Sequence, residues 1–75
     1  MNRYYFNFRE GSEIARDRVG MFLPNLEAAR ELALCTCSDL ALVMAEQGGD
    51  ISGEMEVTDA NGEPVLSIPL RPTRH

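Results

Sequence analysis

The chain has 75 residues, with seven arginines, no lysine and twelve acidic side chains, for a formal charge of −5. One domain is the only sensible count at this length, and an acidic chain is repelled by phosphate backbones and anionic membranes. No apolar run approaches the ~20 residues that span a bilayer, and the opening MNRYYFNFRE lacks the apolar core of a signal peptide, so the expected location is the cytoplasm, where thiols stay reduced.

Residues 3–9, RYYFNFR, alternate. Tyr4, Phe6 and Phe8 fall on one face and Arg3, Tyr5, Asn7 and Arg9 on the other, the period of a half-buried strand. Residues 10–18 carry charge and a glycine and read as a loop. VGMFL at 19–23 reads as a short second strand folded back on the first. Residues 24–47 predict a helix: Asn25 suits the N-cap, Glu27 and Glu31 lie near the positive end of the dipole, and Gly48-Gly49 supply the stop. At about 100° per residue, Leu26, Ala29, Ala33, Cys37, Leu40 and Met44 share a stripe, with Leu32 and Val43 at its edge, and this stripe is expected on the sheet. The far side holds Glu27, Glu31, Ser38, Asp39 and Glu46. It also holds Leu34, Cys35, Ala41 and Leu42, which are more apolar than a solvated face requires.

Residues 54–59 and 64–70 predict a hairpin about Asp59-Ala60-Asn61-Gly62, where Asn61 and Gly62 tolerate the positive φ of a tight turn. Met55 and Val57 are expected inward, with Glu54, Glu56 and Thr58 toward water. Leu66, Ile68 and Leu70 alternate with Val65, Ser67 and Pro69, and the two prolines, Pro64 and Pro69, place part of this strand near an edge. Residues 71–75 read as a frayed basic tail. The order is ββαββ, an α+β domain over residues 1–75 in two layers, with one long helix on a small antiparallel sheet. Phe6, Phe8, Leu40, Val57, Leu66 and Ile68 are expected to share the core.

RYYFNFR, LPNLEAARELAL at 23–34 and VTDANGEPVLSIPL at 57–70 together resemble a family of short uncharacterised proteins of soil alphaproteobacteria, known as a domain of unknown function. The resemblance runs through nearly the whole chain with the three segments in order. It implies no activity, cofactor or catalytic residue. Cys-Thr-Cys at 35–37 is not part of the family pattern.

Candidate chemistry is sparse. Cys35 and Cys37 point about 200° apart on a helix, so they neither chelate one ion nor bridge each other. Cys37 reads as a small core residue and Cys35 as a partly exposed thiol. His75, the only histidine, ends the chain with nothing to orient it as a base. The pairs Glu27/Glu31 and Glu54/Glu56 read as solvated faces. Gly48, Gly49 and Gly53 follow a helix and precede a strand, the wrong order for a phosphate cradle.

No catalytic, cofactor-binding or metal-binding residue is therefore assigned, and an enzyme is not expected. The expectation is a non-enzymatic protein-interaction module that self-associates, most simply as a homodimer, since the core of so small a domain is marginal and has no disulfide or metal to support it. Two surfaces are candidates: Arg3, Tyr5, Asn7 and Arg9 on the open sheet face, and Leu34, Ala41 and Leu42 on the outer helix. The helix is slightly preferred, because Ala41 between the rows of Leu34 and Leu42 would let a second helix approach. Strand pairing at an edge is a third route. The alternative function is a small nucleic-acid-binding or antitoxin-like regulator using Arg3, Tyr5 and Arg9, against which stand the net charge and Glu54 and Glu56 on the same face.

Overall fold

The aromatic N-terminal strand becomes the centre of the sheet. The computed structural model describes residues 1–70; the expected tail at 71–75, with His75, lies outside them. In chain order the elements are β1 (Asn2–Glu10), β2 (Glu13–Ala15), β3 (Met21–Leu23), α1 (Leu26–Glu46), β4 (Glu54–Thr58) and β5 (Pro64–Pro69). All strand pairs are antiparallel. β1 has β4 along one side. Its other side is shared by β3 at the N-terminal end and β2 at the C-terminal end. β5 closes the far edge beyond β4.

The α+β class and the single long helix on an antiparallel sheet are as the sequence predicts. The order is βββαββ, however, because the expected loop at 10–18 contains β2. Three residues with one sizeable apolar side chain, Ile14, are too short a run for alternation to register.

α1 is 21 residues long, about 31 Å at 1.5 Å per residue. Asn25 caps it as expected: its backbone is extended and its Oδ1 accepts from Ala28 N at 2.8 Å. At the other end Gly49 N donates to Met44 O at 3.2 Å. The face on the sheet is the row Ala29, Ala33, Cys37 and Ala41, all buried. These small side chains lie at i, i+4 spacing and let the helix backbone come close to Tyr4, Met55, Val57 and Leu70.

Four expectations are corrected by the structure. Ala41, expected on the outer surface, is 2% exposed, because the buried row turns past the predicted stripe. Leu26, expected on the stripe, is exposed at the first turn. Thr58, expected toward water, does lie on the face away from the helix but is buried, beside Tyr5 where residues 16–18 approach that face. Val65, expected on the open face, is the extra residue of a bulge: Val57 pairs with Leu66 and Thr58 with Pro64, and Val65 turns toward the core.

Phe6, Phe8, Leu40, Leu66 and Ile68 do pack against the buried cluster that holds Val57, as expected, but only partly buried. Phe8 lies under Gly53, whose φ of +108° suits glycine and where an added Cβ would come within 2.6 Å of the ring. Among the described residues, Val57 is the largest side chain buried completely.

Candidate interaction face

β1 contributes one face to the helix and the other to an open surface. Helix α1 lies against β3, β4 and β5, on the side of Phe6, Val57 and Leu66. Directly paired residues share a face, so the opposite side reads in rows across the strands. Ile14, Arg9, Glu54 and Pro69 form one row. Asn7, Glu56 and Ser67 form the next, then Tyr5 and Thr58, and finally Phe22 and Arg3.

Between β3 and β2, the middle of β1 has no strand partner on that side. Asp17 takes the place of one. Its Oδ2 accepts from Phe6 N at 3.2 Å, and its own N–H donates to Asn7 Oδ1 at 2.9 Å. Its Oδ1 accepts from Val19 N and Gly20 N, both at 3.0 Å. The Gly20 N–H is the main reason the Asp17 carboxyl is held below its ordinary value; burial opposes this, and the Phe6 and Val19 donors add to it. Gly20, at φ +73°, sits so close that an added Cβ would lie 2.9 Å from both Tyr4 O and Arg3 Cγ. The 16–20 segment is thus pinned onto the open face by one carboxylate and one glycine.

The candidate residues separate under this arrangement. Arg3 holds its guanidinium carbon 4.4 Å from the centre of the Phe22 ring, within cation–π range. Tyr5 is half-buried and floors a shallow depression with Asn7 and Thr58, lined by Arg16 and Arg18. Asn7 itself is 6% exposed. It was expected on the accessible face, but the 16–20 segment covers it and occupies its side-chain oxygen. Arg9 reaches Glu54 at 3.9 Å, an exposed pair of the cross-strand kind, worth a few tenths of a kcal/mol. Glu54 also accepts from Ser67 Oγ at 2.7 Å. On the helix, Leu34 and Leu42 are exposed as expected, but Ala41 is not there to space them.

Sequence reasoning missed Arg16, Asp17, Arg18 and Phe22. The signal available was Asp17 followed three residues later by Gly20, a pairing that favours a side-chain-capped turn. Of the cysteines, Cys35 is exposed and Cys37 buried. Among the described residues, no group of three or more His, Cys, Asp or Glu side chains is placed to hold a metal ion, and no helix is long and apolar enough to cross a membrane.

The family model described as Domain of unknown function (DUF6894) matches residues 3–71. No curated protein and no solved structure matches the chain.

Proposed function

We propose, for a chain that belongs to the DUF6894 family, a non-enzymatic role as a small interaction module that self-associates as a homodimer and presents its remaining surface to a protein partner. The observation that carries this reading is the imbalance between core and surface. Among the described residues Val57 is the largest side chain buried completely, while Val19, Phe22 and Leu42 are 76%, 53% and 58% exposed. A domain this size gains little from its own core, and covering those side chains in an interface would add to it. A cytoplasmic location belongs to the same reading, since the exposed Cys35 thiol suits a reducing compartment.

Sedimentation equilibrium at tens of micromolar tests the reading. A species of twice 8.3 kDa is expected; a single species at 8.3 kDa would end it. The nucleic-acid alternative uses the arginines around Tyr5, but Glu54 and Glu56 share that face and the net charge is −5. Mobility shifts with single-stranded RNA or DNA at sub-micromolar protein and ~150 mM salt would favour it instead.

A further inference from the structure

We infer that the open sheet face is the self-association surface, and that a second copy of this chain docks on it about a twofold axis running along β1. The inference rests on the homodimer reading above and names the surface that reading leaves open.

The first support is the distribution of charge. Arg16 and Arg18 stand on one side of β1, in the segment between β2 and β3, and line the depression over Tyr5. Glu54 and Glu56 stand on the other side, on β4. Rotation by 180° about an axis along β1 exchanges the two sides, so the arginine margin of each copy lies over the glutamate strand of the other. An isologous contact must be self-complementary, and the two flanks of β1 are; on the axis itself Arg9 is paired with Glu54 and Arg3 is held over Phe22. Asp17 lies between the two arginines but is committed to three backbone N–H groups, so its charge is held against its own chain. Glu56 makes no ion pair or side-chain hydrogen bond among the described residues.

The second support is area and shape. The molecule is a slab of 38 × 29 × 16 Å, so a broad face can supply the roughly 800 Å² per partner of a standard interface. Two open sheets stacked face to face, about 10 Å apart and near-aligned, form an ordinary sandwich. Tyr5 and the exposed Phe22 give this face aromatic content near its middle and margin, the residue class enriched in interfaces.

The competing routes are weaker. The helix surface has lost Ala41 to the core. The β5 edge is blunted: Leu70 N donates to Gly53 O, so alternate N–H groups of β5 turn toward β4 and position 69, on the outer row, is a proline without a donor.

Paired charge reversals decide the matter. One variant carries Arg16→Glu and Arg18→Glu and the other Glu56→Arg, each checked by circular dichroism for native helix content. Each alone is expected to weaken self-association by about tenfold or more through like-charge contact, and an equimolar mixture is expected to restore a heterodimer in sedimentation. Wild-type monomer would remove both the homodimer reading and this surface. A wild-type dimer that persists in both variants, or that Leu42→Glu dissociates while they do not, would remove this surface alone. Should either variant fail to fold, Tyr5→Arg against Leu42→Glu in the same measurement keeps the two faces apart: dissociation by the first is expected, and dissociation by the second alone overturns the inference.

Discussion

Asp17 does the work of a missing strand. One carboxylate satisfies the backbone donors of Phe6, Val19 and Gly20, and those of Phe6 and Gly20 would otherwise lie half-buried without partners. Asp17→Ala is expected to destabilise the fold by about 1–3 kcal/mol, the usual range when hydrogen-bonding groups lose a charged partner. Asp17→Asn should cost less, since its amide oxygen can still accept. The two substitutions also separate by pH. The folded-state carboxyl is held below its ordinary value of 3.8, so its stabilising effect is present above that value and is lost as pH falls through the folded value. Urea titrations from neutral pH down to the acid limb should show a drop for the wild-type chain that is smaller in Asp17→Asn. An equal drop in both would mean that other carboxylates carry the acid sensitivity. The cysteines offer a second check at this scale. Burial pushes the Cys37 thiol up and the side chain is covered, whereas Cys35 is exposed. Iodoacetamide followed by mass spectrometry should give one rapid adduct, at Cys35, and a second only on unfolding; equal rates would contradict the burial of Cys37.

The helix shows why the sequence was legible in outline and misread in detail. Its start and stop were readable because Asn25 and Gly48-Gly49 act through local backbone bonds, which no tertiary context needs to complete. Its buried face was not, because an alanine gives a weak signal in a hydrophobic pattern while a leucine gives a strong one. The structure buries Ala29, Ala33, Cys37 and Ala41 and leaves Leu26, Leu34, Leu42 and Val43 exposed: closeness of approach, not side-chain size, selects the face. The strands follow the same division. Alternation located Phe6, Phe8, Met55 and Val57 correctly, whereas the bulge at Val65 reversed one residue and β2 fell below the length at which period 2 registers. The open face was visible as Arg3, Tyr5 and Arg9, but its covering by the 16–20 segment depended on contacts across the chain fold and was not. If the alanine row sets the helix–sheet distance, Ala33→Leu should overpack it and cost about 1–3 kcal/mol, while Leu42→Ala should stay within about 0.5 kcal/mol in the isolated monomer. Thermal unfolding of the two variants at low protein concentration compares them directly; a tolerated Ala33→Leu would show that the two layers can separate without loss.

At the scale of the whole molecule, the slab has two broad sides of different chemistry, and salt distinguishes them. The sheet side carries Arg3, Arg9, Arg16 and Arg18 among Glu54 and Glu56, whereas the helix, beyond Leu26 at its first turn, exposes Leu34, Leu42 and Val43. Attraction between arginine and glutamate across an interface weakens as the screening length falls from about 10 Å at 0.1 M to about 3 Å at 1 M ionic strength. Apolar contact is not weakened in this way, and a strongly excluded salt such as sulfate reinforces it. A dimer through the sheet face is therefore expected to dissociate progressively with added sodium chloride, and a dimer through the helix leucines to hold or tighten. The same association should raise the melting temperature with protein concentration, since a partner that binds only the folded chain stabilises it by mass action, and that dependence should flatten in high chloride. Sedimentation across a chloride series, with melting curves at two protein concentrations, reads both effects. A dimer insensitive to chloride would assign the association to the leucines of α1, and with it would fall the pairing of arginine margin against glutamate strand.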